Sequence, residues 1–263
     1  MDYQHILFAV EGGVARLTLN RPARLNSFIV AMHEEVRDAL AQVAADRSVR
    51  VLVLTGGGRA FCAGQDLADR SVAPGAAPPD LGESIERYYG PLVLALRRLP
   101  IPVLCAVNGA AAGAGANIAL ACDIVIAARS ASFLEAFCKL GLLPDTGGTY
   151  FLPRLLGQAR ATGLAMLGDK LSAEQAAAWG LIWKCVDDDQ LAAETEAMAR
   201  HFASAPTLGL ARTKQALQAS GLNTLEQQLD LERDGMRELG LSADYREGVA
   251  AFLEKRAPRF VGA

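Results

Sequence analysis

The chain has 263 residues, enough for one large domain or a domain with a helical appendage. Apolar residues make up 51% and charged residues 21%, an ordinary globular composition. The net charge is -3 with Lys and Arg spread along the chain, so no concentrated basic face is offered to a nucleic acid, and no apolar run approaches the ~20 residues of a membrane span.

The N-terminal stretch MDYQHILFAVEGGVARLTL has an acid at position two, no basic start and no clean apolar block, so it does not read as a signal peptide. Within it, ILFAVEGGVARLTLN alternates apolar and polar residues around Gly-Gly, the pattern of a β-hairpin. A helix follows, with Asn26 or Ser27 as its expected cap and Met32, Val36, Leu40 and Val43 at helical spacing. VRVLVLTGGG, LPIPVLCAVNG and CDIVIAAR are short continuous apolar runs, as suits strands buried on both faces. Helices are predicted between them over residues 83–98 and 113–122, which argues an α/β core. ADRSVAPGAAPPDLGE is rich in Pro, Gly and Ala and reads as a loop, mobile across 71–82 without a ligand. Beyond residue 150 the patterns turn helical, and the last sixty or so residues read as a helical appendage whose apolar stripes must cover the core or a neighbouring subunit.

Two strand-like runs end in glycine-rich chemistry, GGGRAFCAGQDL (56–67) and VNGAAAGAGANIALACDI (107–124). Neither contains the lysine of a phosphate loop, and GAGA is only a ragged piece of a dinucleotide fingerprint. Small residues there let backbone N–H groups approach a ligand, and one N–H from each segment could hold a developing oxyanion. Tight helix–strand packing explains the same residues equally well. Asp145, in KLGLLPDTGGTYFLPRLLG, is open to two readings as well: a helix N-cap, or a proton-transfer base whose proton affinity an apolar pocket raises. The five cysteines include no CxxC and read as reduced thiols of a cytoplasmic protein. His5, His33 and His201 are scattered outside the glycine-rich segments and suit surface or packing roles, which leaves no start for a zinc site or a histidine triad.

In this order, RLTLNRPARLNSF, AFCAGQDL, NGAAAGAGANIALACDIVIAA and LGLLPDTGGTYFLPRLLG resemble the crotonase (enoyl-CoA hydratase/isomerase) superfamily over essentially the whole chain. The resemblance implies an α/β fold, a crotonase-like spiral of β-β-α units over residues 1–200. Residues 201–263 would be a helical region for trimerisation and completion of the CoA site, with trimers often paired into hexamers. It implies an acyl-CoA thioester as substrate, no separate cofactor and no metal. The thioester carbonyl would lie between the backbone N–H groups of Gln65 and Ala114, the latter a position where the family more often has glycine. Arg24, Leu25, Ala63, Asp66, Leu67, Phe252 and Lys255 match positions near the CoA moiety, although surface or packing roles account for Arg24, Leu25, Phe252 and Lys255 about as well. Asp66 would chiefly shape its turn.

Family members that add water use two glutamates, and this chain has Asn117 and Phe137 at those positions. Glu135 is close to the second but out of register with it. Asp145 matches the working aspartate of the isomerase and aryl-CoA dehalogenase branches. One carboxylate suits a proton shuttle, with Asn117, Phe137 and Tyr88 expected in the acyl pocket. The resemblance thus implies an acyl-CoA isomerase acting on the ring epoxide of phenylacetyl-CoA, with Δ3,Δ2 double-bond shifts on unsaturated acyl-CoAs as a second activity. General Δ3,Δ2-enoyl-CoA isomerase and enoyl-CoA hydratase are the alternatives. A dehalogenase would want a histidine within these motifs, and an RNA-binding or scaffold relative sits poorly with the acidic balance.

Overall fold

A computed structural model of the chain describes residues 2–70 and 80–263, so most of the expected 71–82 loop falls outside the described residues. Strands β1 (Ile6–Glu11) and β2 (Val14–Leu19) form the predicted hairpin, turning through Gly12 and Gly13, both at positive φ. Helix α1 (Val30–Ala45) buries Met32, Val36, Leu40 and Val43. It is not capped by Asn26 or Ser27 as expected; Ile29 is the extended residue before it. Asn26 is fully buried at φ 56° instead, its Nδ2 donating to the carbonyls of Gly57, Ala60 and Phe61 and its Oδ1 accepting from the Arg21 N–H. Its amide ties the segment before α1 to the first glycine-rich exit.

From β3 onward the chain repeats one manoeuvre. Strands β3 (Val51–Gly56) and β4 (Ala60–Cys62) lead to the helical turns α2 (Leu81–Ser84) and α3 (Gly90–Arg98), joined by a π-helical turn at Ile85–Tyr89. Strands β5 (Val103–Val107) and β6 (Ala110–Ala112) lead to α4 (Ala114–Ala121), and β7 (Ile124–Ala128) and β8 (Ser132–Leu134) lead to α5 (Gly148–Leu156). Next come α6 (Gln158–Leu167), β9 (Lys170–Ser172), α7 (Ala173–Trp179), β10 (Lys184–Val186) and α8 (Leu191–Ala203). The first strand of each pair joins a six-stranded sheet, β1-β2-β3-β5-β7-β10, and the second joins a four-stranded sheet, β4-β6-β8-β9. Among the described residues, only the hairpin and the β8/β9 pair are antiparallel. This alternation is the β-β-α spiral. The sequence reading treats the second-sheet strands as loop exits, because three residues are too few for an alternating pattern to register.

α8 covers the larger sheet, Ala199 packing with Val14, Val51, Val53 and Leu104, so residue 200 lies inside a helix that belongs to the core. Helices α9 (Thr207–Ala219), α10 (Leu225–Leu239) and α11 (Ala243–Glu254) follow. α10 opens with a capping box between Thr224 and Gln227 and buries no residue; its Leu225, Leu229, Leu231 and Met236 are exposed.

Candidate active site

The two glycine-rich exits meet where the second sheet begins. Gln65 bridges Phe28: the Phe28 N–H donates to the Gly64 carbonyl, and the Asp66 N–H to the Phe28 carbonyl. That parallel pattern leaves the Gln65 N–H facing away from Phe28, and it has no acceptor among the described residues. Gly64 sits at φ 85°, and a Cβ there would lie 2.8 Å from the Ala112 carbonyl and 3.3 Å from the Ala114 nitrogen. Only glycine lets the strand bearing Gln65 come this close to the start of α4. Gly115 behaves likewise, since its Cβ would lie 2.3 Å from the Cys62 carbonyl.

Ala114 is the first residue of α4, so its N–H belongs to the first turn, whose donors have no partner within the helix. Gly113, at φ 53°, makes the turn into the helix, and Ala114 itself needs no left-handed angle, so alanine serves here without strain. The ring of Phe137 closes on this turn, its Cζ 3.5 Å from where a Gly113 Cβ would be. The Ala114 N–H at this helix start, beside the aromatic ring, is placed where negative charge is favoured.

Asp145 reaches this region by a tight turn. Its carboxylate accepts from the Thr146 hydroxyl at 2.7 Å, and its backbone carbonyl accepts from the Gly148 N–H at 2.8 Å. Thr146 and Gly147 both adopt positive φ, 54° and 86°. The residue capping α5 is Gly147, two positions after Asp145. The bland reading of Asp145 as the cap residue therefore does not describe this turn.

Asn117 Nδ2 donates to the Asp145 carbonyl at 2.9 Å and to Glu135 Oε2 at 3.3 Å. A Cβ on Gly148 would lie 2.5 Å from that nitrogen, which is the physical reason for glycine at the position. Glu135 is 4% exposed, and burial pushes its carboxyl up to about 8; the Asn117 hydrogen bond opposes that rise and the charge of Asp145 adds to it. The sequence reading sets Glu135 aside as out of register. The signal that draws attention to Asp145, a lone acid in apolar sequence, applies to Glu135 as well.

The aromatic residues separate. Tyr89 is buried and its hydroxyl donates to Gln65 Oε1 at 3.0 Å, while Gln65 Nε2 donates to the Phe28 carbonyl at 3.1 Å. Tyr88 lies on the other side of the same cluster, stacked on His33 with ring centroids 5.3 Å apart. His33 packs between Phe28, Tyr88 and Tyr89, the packing role expected of it.

Leu25 and Ala63 are joined, the Ala63 N–H donating to the Leu25 carbonyl at 2.9 Å, and Arg24 and Leu67 are exposed beside them. Asp66 pairs with Arg21 at 3.1 Å and accepts from the Ala68 N–H at 3.2 Å, shaping the turn as expected. Burial raises its carboxyl, but the Arg21 bond, the Ala68 N–H and the charges of Arg21 and Arg24 together hold it below the usual carboxylate range. Phe252, 82% exposed, and Lys255, a left-handed residue ending α11, lie on the C-terminal helices. Arg21 and Tyr89 fix Asp66 and Gln65 through partners 45 and 24 positions away, contacts that no local pattern shows.

The spiral of β-β-α units thus carries two backbone N–H groups and a turn-borne carboxylate at its strand exits. Residues 9–263 match the pattern of the enoyl-CoA hydratase/isomerase family, and the chain belongs to that family. It is 61% identical over 259 residues to the 1,2-epoxyphenylacetyl-CoA isomerase of Escherichia coli (strain K12), covering 98% of this chain and 99% of that protein. It is 36% identical over 262 residues to the trans-2-decenoyl-[acyl-carrier-protein] isomerase of Streptococcus mutans, covering 100% of each. Among solved structures, enoyl-CoA hydratase from Bacillus anthracis superposes with a TM-score of 0.91 at 33% identity, covering 99% of this chain and 100% of that one.

Proposed function

We propose that this enzyme isomerises acyl-CoA thioesters, with Asp145 as the single acid/base and the Gln65 and Ala114 N–H groups as the oxyanion hole. The observation that carries the reading is the close approach of the two exits through Gly64, with the Asp145 turn clamped nearby by Asn117. Asp145 takes a proton from one carbon of the enolisable thioester and returns it to another, while the enolate oxygen rests on the two N–H groups. Phe137 limits water at the turn and favours isomerisation over addition. Asn117 and Phe137, standing where water-adding relatives carry glutamates, support the same choice. The name of the E. coli relative directs the substrate to 1,2-epoxyphenylacetyl-CoA, rearranged to the oxepin-CoA, with Δ3,Δ2-enoyl-CoA shifts as a second activity.

CoA would lie along Arg24, Leu25, Ala63, Asp66 and Leu67, with Phe252 and Lys255 reaching it from a neighbouring subunit of a homotrimer or a dimer of trimers. The exposed apolar residues of α10 and α11 support that assembly. The five unpaired cysteines fit a cytoplasmic setting, and no described helix is long and apolar enough to cross a membrane.

The test follows conjugated-thioester absorbance with cis-3-enoyl-CoA and 2-enoyl-CoA for wild type and Asp145→Asn. We expect a double-bond shift without hydration in wild type, and a loss of roughly 10²- to 10⁴-fold in the variant. Brisk hydration, or a variant as fast as wild type, sinks the reading. The epoxide is the next substrate to assay.

A further inference from the structure

We propose that Glu135 is a positioning residue that works as a neutral acid: it fixes the Asn117 amide that clamps the Asp145 turn, and it withholds a second negative charge from Asp145. The inference rests on the reading of Asp145 as the acid/base.

The geometry carries it. Asn117 Nδ2 is shared between Glu135 Oε2 and the Asp145 carbonyl, while Asn117 Oδ1 is buried with no hydrogen-bond partner among the described residues. The orientation of that amide is set by the Asp145 carbonyl, which can only accept. Glu135 therefore meets the donor end of Asn117 and steadies the nitrogen that also holds the turn. Asn117 is fully buried in α4, and its Nδ2 takes the space that a Cβ on Gly148 would fill.

The surroundings of Glu135 explain its protonation. A cavity of about 10 Å³ beside it is lined by Ala116 and Leu120 of α4, Phe133 of β8, Leu152 of α5 and Leu164 of α6. Leu171 of β9 and Leu181 complete that apolar wall. Among the described residues no cation pairs with Glu135, and the charged group acting on it is Asp145. Lys139, the next cation along the chain, is exposed. An unpaired buried carboxylate is costly, so the group keeps its proton until about pH 8. Asp145 and Glu135, if both ionised, would oppose each other, and a neutral Glu135 leaves Asp145 able to take a proton and give it back.

The test is a pH–rate profile of wild type, Glu135→Gln, Glu135→Leu and Asp145→Asn with cis-3-enoyl-CoA, alongside infrared titration of the neutral carboxyl band. Glutamine keeps the shape and the neutral charge, so its rate at neutral pH should stay within about threefold of wild type, while the loss of kcat above pH 8 disappears. Leucine removes the partner of Asn117 and should lower kcat roughly tenfold with KM unchanged. The band should be present in wild type, titrate near pH 8, and be absent from Glu135→Gln. Folded Glu135→Gln as inactive as Asp145→Asn would overturn the proposal, because Glu135 would then transfer protons itself. An alkaline limb unchanged in Glu135→Gln, or no neutral band in wild type, would overturn it too. Full activity in Asp145→Asn fails the underlying reading; a dead Asp145→Asn beside an unmoved Glu135→Gln profile fails this inference alone.

Discussion

Asp145 and Glu135 are two lone acids ten positions apart that the fold treats differently: one stands half-buried on a strained turn, the other is sealed behind Asn117 in an apolar wall. The sealed one links stability to pH. Its folded pKa is raised from 4.5 to about 8, so its contribution is fully present below 4.5 and is lost as pH rises through 8. Glu135→Gln does not titrate. Its stability relative to wild type should therefore grow between pH 4.5 and pH 8 by a few kcal/mol and then level off, each pH step of one within that window being worth roughly 1.4 kcal/mol. Urea unfolding of both proteins at the two ends of that window checks it; a difference independent of pH would place the proton elsewhere. Gly64 makes a second prediction at this scale. Alanine there needs φ 85° and puts its Cβ 2.8 Å from the Ala112 carbonyl, forcing the Gln65 strand away from α4. We expect Gly64→Ala to lower kcat by about 10²-fold or more, the scale of a lost oxyanion donor, which steady-state assay on folded protein would show.

At the scale of elements, the join between core and C-terminal helices includes a buried ion pair. Lys214 of α9 meets Asp123, just before β7, at 2.7 Å and also donates to the carbonyls of Leu96 and Ile101 at 3.2 Å. Arg97 stands 3.8 Å from the same carboxylate, and the Val103 N–H donates to it at 2.8 Å. Burial pushes Asp123 up and Lys214 down, each against the attraction of its partner, so the pair holds only while both members are present. Lys214→Met should cost about 3 kcal/mol by leaving Asp123 underpaired, and Asp123→Asn with Lys214→Met should recover part of it. Chemical unfolding of both variants decides this. A single variant as stable as wild type would mean that solvent reaches the pair.

Across the whole molecule, apolar exposure is concentrated on the last helices. Tyr245, Val249, Phe252 and Leu253 of α11, with Leu239 and Phe260, line an open cavity of about 410 Å³. Faces of this kind are covered in soluble proteins by a partner surface. If the proposed trimer or dimer of trimers forms through this face, replacing Phe252 and Leu253 together by aspartate should shift sedimentation toward monomer, and should raise KM for acyl-CoA if the neighbouring subunit completes the site. Unchanged sedimentation would place the assembly surface elsewhere.

Local signals make much of this protein legible before any coordinates. The hairpin, the buried strands β3, β5 and β7 and the terminal helices follow from apolar period and from glycine punctuation, which depend on neighbours a few residues away. Gln65, Ala114 and Asp145 can be proposed for the site from sequence because each lies in a motif. The short second sheet cannot, since its strands are held by pairing across long separations. Nor can Asn26 as a buried tie, Tyr89 as the support of Gln65, or Glu135 as the acid behind Asn117. Each owes its role to what tertiary packing sets against it: carbonyls that need a donor, an amide that needs orienting, and an apolar wall that keeps a carboxyl neutral.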